Sequence, residues 1–248
     1  MNTNHIKSSI RIVAVFTLLL LFAFDSSAQR VIIEQDVNAD TAVPTVGKNR
    51  KNFWGSFVDV GMAVGESTGD SAPSTLIGKS WSFKYGMYYK RKISNWYSIL
   101  GQLAYKRAAY NYNVDDLNPD QETLKSSKLI MNNVTGEFSN RFNFGKRGDN
   151  IGYYVEIGAS ADFNFMNKEK WVYTDQGSMD GSYFETTKLT YHGLSYIEAL
   201  AYNAHLRFGF NKIVVFGDYR LSDRFKSTNR VNYQVTPLTV GLRLDFGA

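Results

Sequence analysis

The chain has 248 residues, a formal net charge of +5, 44% hydrophobic residues and 15% aromatic residues. This content of apolar and aromatic side chains excludes a disordered chain, and the lack of cysteine excludes disulfides, thiolate metal sites, a cysteine nucleophile and a lipoprotein anchor. A mean hydropathy of −0.30 argues against a bundle of membrane helices. It is compatible with a membrane β-barrel, in which only every second strand residue is apolar.

Residues 1–28 have the pattern of an export signal. Lys7 and Arg11 precede the apolar stretch 12–24, and the small residues Ser26-Ser27-Ala28 follow it. That stretch is too short for a membrane-spanning helix, which needs about 20 apolar residues. The pattern therefore predicts cleavage after Ala28, with an uncleaved signal anchor as the alternative. An exported chain without a later apolar stretch of that length can span a membrane only as a barrel.

Residues 29–51 are predicted to form an N-terminal periplasmic extension of the mature chain. The apolar triplet Val31-Ile32-Ile33 is followed by a polar, turn-prone run that ends at Lys51. Such terminal segments are poorly ordered unless they dock elsewhere. The triplet is suited to adding a strand to the sheet edge of a partner protein.

From residue 53 onward the hydrophobic pattern has a period of two residues, which predicts β-strands. In the clearest segment, apolar residues fill the odd positions from Ile151 to Phe165, and the even positions between them are mostly polar or small. Eight such segments occur, at 53–64, 81–90, 96–109, 129–144, 151–165, 196–210, 213–221 and 231–246. The predicted fold class is therefore all-β.

Alternation alone does not distinguish a soluble barrel with apolar residues inside from a membrane barrel with apolar residues outside. Several segments alternate for ten residues or more, which suits a tilted membrane strand of about 9–11 residues. The connections also alternate strictly between long ones, at 65–80, 111–128, 167–188 and 222–230, and short ones, at 91–95, 145–150 and 211–212. This is the loop pattern of outer-membrane barrels.

Aromatic side chains cluster near the ends of the segments, where aromatic girdles sit at the two membrane interfaces. They are Trp54, Trp81, Trp96, Tyr97, Phe142, Phe144, Phe163, Phe165, Phe208 and Phe210. Together these features predict an eight-stranded antiparallel up-and-down transmembrane β-barrel over residues 52–248. The barrel is expected in a bacterial outer membrane, with short periplasmic turns and long outer loops.

The C-terminal run from Thr239 to Phe246 resembles the signal that bacterial outer-membrane proteins present to their insertion machinery. Thr239, Gly241, Leu244 and Phe246 occupy the polar, glycine, hydrophobic and aromatic places of that signal, although Gly247-Ala248 follows the aromatic residue here. The chain from residue 53 is similar in plan to small barrels of the OmpA/OmpX type. Its signal-peptide end, its tyrosine content and its short extension also resemble the PorT-like barrels of bacteria with type IX secretion.

The predicted inward-facing side chains are strongly polar and of mixed charge. Because an eight-stranded barrel is just wide enough for side chains to fill it, they are expected to form a lumen ion-pair network that plugs the barrel; a narrow ion or proton path is the alternative. The predicted network consists of Asp59, Lys84, Glu137, Arg141, Glu156, Asp162, His205, Arg207, Asp218, Arg220, Arg243 and Asp245, with Gln102 and Lys106 on the same face. An open diffusion porin is excluded, because it needs about 16–18 strands and this length cannot supply them.

A lipid A-modifying barrel enzyme would use a serine–histidine pair near its outer face. His192 and Ser195 are the nearest candidates, but an odd spacing places them on opposite faces of a regular strand. His205 is expected to be an interior histidine. No catalytic residue, metal site or cofactor is therefore predicted, and no basic stripe indicates nucleic acid.

The predicted periplasmic side is more basic than the outer loops. Its basic rim consists of Lys48, Arg50, Lys51, Arg91, Lys92, Lys146, Arg147 and Lys212. Such a rim suits anionic lipid headgroups or an acidic partner.

Fold alone does not fix function. The predicted function is that of a non-enzymatic structural or accessory subunit of an outer-membrane protein assembly, of secretion type. Two alternatives stay open: a stand-alone surface barrel that binds an external ligand through its long loops, and a lipid A-modifying enzyme. The expected partners are outer-membrane lipid, the insertion machinery and another outer-membrane or periplasmic protein.

Overall fold

The computed structural model describes residues 47–69, 73–117, 124–144, 152–174, 186–226 and 233–246. The predicted signal peptide, residues 29–46 of the extension, and Lys146 and Arg147 of the basic rim lie outside these ranges. The elements, in chain order, are β1 (Asn52–Val64), β2 (Thr68–Gly69), β3 (Trp81–Lys92), β4 (Tyr97–Tyr112), α1 (Val114–Leu117), β5 (Leu124–Phe144), β6 (Tyr153–Thr174), β7 (Thr186–His192), β8 (Leu200–Phe210), β9 (Ile213–Arg220), β10 (Tyr233–Gln234) and β11 (Leu238–Phe246).

Eight long strands form a closed antiparallel ring in the order β1-β3-β4-β5-β6-β8-β9-β11. The first and last strands close the ring, with a register that runs from Ser56↔Phe246 to Val64↔Leu238. Each strand pairs with its neighbours along the barrel wall, as expected of an up-and-down barrel. The predicted eight-stranded fold is confirmed.

The period of two in the sequence separates an apolar outer surface from a polar interior. Trp54, Leu103 and Phe138 point outward and are 66%, 64% and 55% exposed, whereas Arg207 and Glu156 point inward and are fully buried. Exposed apolar surface on this scale suits lipid rather than water.

Aromatic residues mark both edges of the apolar belt. At the end with the short turns, Tyr153 stacks on Phe210 with ring centroids 4.5 Å apart. At the end with the long loops lie Trp81, Tyr105 and Phe163. Tyr153 and Phe163 are ten residues apart on β6. That separation is about 34 Å along the strand. For a strand tilted by about 40° from the barrel axis, it is about 26 Å along the axis. This height is close to the apolar band of about 25 Å in such barrels.

Three strands form a sheet that extends past the girdle at the long-loop end, called here the extension sheet. It comprises residues 124–131 of β5, residues 167–174 of β6, and β7. The prediction was wrong here: β5 begins at residue 124 instead of 129, β6 continues to 174 instead of ending at 165, and β7 lies where no strand was predicted, between the end of the predicted loop 167–188 and the segment 196–210. Above the membrane both faces of a strand meet water or other polar groups, so the apolar alternation that marks strands is lost.

Two other segments begin later than predicted, because β8 begins at Leu200 and β11 at Leu238. Residues 194–197 and 235–237 instead form irregular connections, and some of their side chains are buried at the long-loop end of the barrel. No helix in the described ranges is both long enough and apolar enough to span a membrane.

Candidate functional site: the lumen and the long-loop end

The centre of the barrel contains an ion-pair network with Arg207 as a bridge. Arg207 lies on β8 and is fully buried. Its Nη1 donates to Oε1 of Glu156 and its Nη2 to Oε2 of Glu137, both at 2.5 Å. A guanidinium group with two carboxylate partners satisfies the geometry of strong charge-assisted hydrogen bonds. One side chain therefore joins β8 to both β5 and β6.

Lys84 and Arg243 extend the network to the strands that close the ring. Lys84 Nζ lies 2.6 Å from Glu137 and 3.1 Å from Asp218. Arg243 holds Asp59 in a two-point contact, with Nε–Oδ1 at 2.6 Å and Nη2–Oδ2 at 2.9 Å. Its guanidinium also lies 3.7 Å from the ring centroid of Phe57, a cation–π contact.

Arg141 and Gln102 complete the central layer, and Ser139 accepts from Nε2 of Gln102 at 3.3 Å. Arg141 donates from Nε and Nη2 to Oε2 of Glu156, at 3.1 and 2.9 Å. Gln102 donates to Oε1 of Glu156 at 3.0 Å and accepts from Nη1 of Arg243 at 2.9 Å. With Gln102 on β4, every strand of the ring contributes at least one side chain to this layer.

The central layer is electrically balanced. Four cations, Lys84, Arg141, Arg207 and Arg243, face four carboxylates, Asp59, Glu137, Glu156 and Asp218. Burial of an unpaired charge is costly, and a fully paired set avoids that cost. The structure thus brings together the centre of the predicted network as a set of buried, paired side chains.

Two tyrosines fill the lumen on the short-turn side of the central layer. Tyr154 donates its hydroxyl to Oδ2 of Asp245 at 3.2 Å, and its ring packs under the guanidinium of Arg141 at 4.0 Å. The ring covers Gly209, where a Cβ atom would overlap it, and Tyr88 covers Gly55 in the same way at 2.6 Å. Neither tyrosine is among the predicted lumen residues, although both lie at inward positions of the alternating pattern.

Lys48 closes the short-turn end. It is buried in the mouth of the barrel, where its Nζ donates to the carbonyl oxygen of Asp245 at 3.2 Å. Burial lowers the pKa of Lys48, although Asp245 acts in the opposite direction. Lys48 therefore departs from the exposed rim predicted for it, while Arg50, Lys51, Arg91 and Lys212 are exposed and Lys92 is partly exposed.

On the long-loop side of the central layer, Lys106 donates to Oδ2 of Asp162 at 2.8 Å, and Thr135 donates to Oδ1 of the same carboxylate at 2.7 Å. Arg224, from the loop after β9, reaches down to Oδ1 of Asn133. Between these groups lies a cavity of 20 Å³, room for about one water molecule.

Arg220 differs from the other predicted network residues because it donates to carbonyl oxygens of Ser222 and Val235 at the barrel end.

An apolar cluster covers that end of the lumen. Phe225, Val235 and Ile197 come from three loop segments and pack on inward side chains of β4 and β5. Loop sequence has no fixed period, so neither this cover nor Arg224 was predictable from alternation. Among the described residues, buried side chains thus lie at both ends of the ion-pair network.

The residues of the predicted insertion signal lie on β11. Thr239 points inward, while Leu244 and Phe246 face outward. Gly241 faces Gly61 across the closing seam, and a Cβ atom there would overlap the carbonyl oxygen of Val60. Close packing of β11 against β1 thus requires a glycine at this position.

Neither His192 nor His205 forms an accessible catalytic pair with a serine. His192 and Ser195 are both exposed, and no hydrogen bond joins them. His205 Nε2 lies 2.9 Å from Oγ of Ser139, a pair that the sequence analysis missed, but both residues are buried inside the closed lumen. Among the described residues, no group of three or more His, Asp or Glu side chains is placed to hold a metal ion.

We expect the purified protein to carry no steady current in planar bilayers, because paired side chains fill the lumen. The measurement is single-channel recording in 1 M KCl, with a 16-stranded porin reconstituted in parallel as the positive control. Reproducible conductance steps from the folded protein would contradict the closed lumen.

Comparison with solved structures gives distant likenesses. No protein-family model and no curated protein matches the chain. Among solved structures, Ail, the attachment invasion locus protein of Yersinia pestis, is 12% identical over 79% of this chain and 100% of its own, with a TM-score of 0.38. The same protein in complex with the heparin analogue sucrose octasulfate is 13% identical over the same shares, with a TM-score of 0.35.

Proposed function

We propose that this chain is a non-conducting barrel of the bacterial outer membrane that binds an external protein through its extension sheet. The observation that carries the proposal is the free edge of β7. All seven of its residues are exposed, and its register pairs, from Lys168↔His192 to Thr174↔Thr186, are all with β6. In the described ranges, the opposite edge of β7 has no strand beside it.

An unpaired strand edge presents a row of N–H and C=O groups to which an extended polypeptide can add a strand. Natural proteins usually protect such edges by cover, bulges, proline or charge. Here β7 contains three threonines, which favour strand structure, and no proline. The edge is therefore suited to strand addition by a partner.

The face of the extension sheet on the lumen side offers side-chain anchors next to this edge. It presents Trp171 and Tyr173 from β6 and Leu189 and Tyr191 from β7, with the rings of Trp171 and Tyr173 6.2 Å apart. Leu189 and Tyr191 are 39% and 51% exposed. Aromatic side chains are enriched among the anchors of protein interfaces. Backbone pairing at β7 would therefore place a partner beside this aromatic surface.

We propose no catalytic role for the buried pair formed by Ser139 and His205. The serine–histidine pair within hydrogen-bonding distance, Ser139 and His205, is sealed beneath the apolar cover formed by Phe225, Val235 and Ile197. A substrate would have to displace the central ion pairs to reach it. This burial supports a structural role for the pair.

The accessory-subunit function and the PorT-like resemblance behind it stay predictions. The same holds for the insertion machinery as a partner, for signal cleavage near Ala28 and for a periplasmic partner at the basic rim. The extension sheet favours the surface-binding alternative because it presents an exposed strand edge and exposed apolar side chains at the long-loop end.

A pair of proline variants at adjacent positions tests the proposal. Successive N–H groups of a strand point to opposite edges, so one of Leu189→Pro and Thr190→Pro removes a donor at the free edge and the other disturbs pairing with β6. We expect the free-edge variant to lower adhesion of expressing cells to a serum-coated surface at least about tenfold, because the missing donor and the ring block strand addition.

The matched control is Asp223→Pro, which places a proline in another exposed loop at the same end of the barrel. Heat-modifiable gel mobility shows whether each variant is folded. The proposal fails if wild-type cells adhere no better than cells without the protein, or if all three folded proline variants adhere like wild type.

A further inference from the structure

The extension sheet carries a second surface, on the side that continues the lipid-facing wall of the barrel. We call it the outer basic face. It consists of Arg107 on β4, Lys128 on β5, Lys168 and Lys170 on β6, and Lys188 and His192 on β7. The aromatic surface with Trp171 and Tyr191 lies on the opposite side of the same sheet. The two surfaces are therefore independent.

Strand register assembles this face from residues far apart in sequence. Lys128 lies directly opposite Lys170, and Lys168 lies directly opposite His192. A β-bulge near Phe165 shifts the parity of β6, so its even positions face inward below the bulge and outward above it. Without that shift, Lys168 and Lys170 would point to the lumen side.

The outer basic face begins directly above the lipid-facing belt. Arg107 is two residues beyond Tyr105 on the same side of β4, and the rings of Tyr105 and Phe165 are 6.3 Å apart at the girdle. The height of the face can be measured along β6. Arg107 lies level with Met166, through Asn132 of β5, and Lys188 lies opposite Val172. This distance is about 20 Å along the strand at about 3.4 Å per residue.

No acidic side chain balances these charges in the described ranges. None of the ion pairs found in the structure includes a cation of this face, and the nearby carboxylate of Glu169 accepts from Tyr196 on the opposite side. Partial burial and the neighbouring cations Arg107 and Lys170 lower the pKa of Lys128. Like charges directly opposite each other across two strands are destabilising without a counter-ion.

We propose that the outer basic face binds the phosphorylated headgroup of an anionic glycolipid in the outer leaflet. A cation in this position meets headgroups because it lies on the lipid side of the wall, immediately beyond the aromatic girdle. The height of the face exceeds that of a simple phospholipid headgroup and suits a large headgroup with more than one phosphate. Arginine and lysine provide the donors that phosphate oxygens accept.

The test uses the full chain folded into nanodiscs of phosphatidylcholine doped with bisphosphorylated lipid A. The variant Arg107→Gln/Lys128→Gln/Lys170→Gln removes three charges from the face. The control Arg50→Gln/Arg91→Gln/Lys226→Gln removes three exposed charges that lie outside the extension sheet. Native mass spectrometry after detergent exchange measures the lipid A retained by each protein, and heat-modifiable mobility establishes that each is folded.

We expect wild type and control to retain lipid A and the three-site variant to retain at least about tenfold less, since each cation near an anionic surface contributes several-fold to binding. Equal retention by the folded variant and the control would overturn the proposal. So would equal retention of phosphatidylcholine and lipid A by wild type. Displacement of lipid A by micromolar inositol hexakisphosphate would overturn the assignment to a lipid and indicate a soluble polyanion.

Discussion

Replacement of Arg207 by methionine is expected to lower the free energy of unfolding in lipid vesicles by about 3–5 kcal/mol, the cost of breaking a buried ion pair by removal of one partner. Methionine fills much of the volume but leaves Glu137 and Glu156 without the donors that now lie 2.5 Å away. Both carboxylates are buried, so bulk solvent does not replace those donors at low cost. Urea titration monitored by tryptophan fluorescence measures the change.

Arg91→Met is the matched control because Arg91 is an exposed cation at the end of β3. Its effect is expected to stay within about 0.5 kcal/mol, as for most surface substitutions. If Arg207→Met has an effect as small as that of Arg91→Met, the central layer does not hold the strands together. The closed lumen would then depend on the loops.

Replacement of Gly241 by valine is expected to destabilise the closing seam by about 3 kcal/mol or more, because overpacking against rigid neighbours is costly. A Cβ atom at residue 241 would overlap the backbone of β1 at Val60, which cannot move without disturbing the register between β1 and β11. Refolding of the purified chain into detergent, followed by gel mobility with and without heating, measures the closed fraction.

The same variant separates packing from recognition by the insertion machinery. Refolding in detergent needs no machinery, so a defect there shows that the glycine is required by the fold. Gly101→Val is the control, because Gly101 faces outward and a Cβ atom there meets nothing within 4 Å. Normal refolding of Gly241→Val in detergent together with failed assembly in cells would instead indicate that Gly241 acts only as part of the signal.

The barrel was predictable because one side of its wall contacts lipid and the other side contacts a polar lumen. Alternation over 151–165 required the odd positions to face lipid and the even positions to face the lumen, and β6 follows this pattern as far as Phe163. The same rule placed Asp59, Glu156 and Arg243 in the interior. Alternation did not predict which charged side chains pair with each other. Those pairs depend on the register between strands that are distant in sequence, which decides whether Arg207 contacts Glu137 or Asp59.

The extension sheet was not predictable from the same rule. Residues 167–174 and 186–192 extend past the aromatic girdle, so the alternation of Lys170 and Trp171 follows charge and packing and not a period of apolar residues. Lys48 was assigned to the surface because it lies in a polar run, yet the mouth of the barrel offers the carbonyl oxygen of Asp245 to its ammonium group. Arg224 belongs to a loop, and its contact with Asn133 depends on the path of that loop.

The balance of charge in the central layer has a consequence for the order in which the barrel assembles. Arg243 and Asp59 are 184 residues apart in sequence, and Lys84 and Asp218 are 134 apart. A sheet in which β1 and β11 are still apart therefore holds Asp59 and Gln102 without the guanidinium of Arg243, which contacts both. Because a buried carboxylate is costly to dehydrate without its partner, we expect water to stay beside Asp59 until β11 pairs with β1. Closure of the ring and loss of water from the central layer are then expected to occur together.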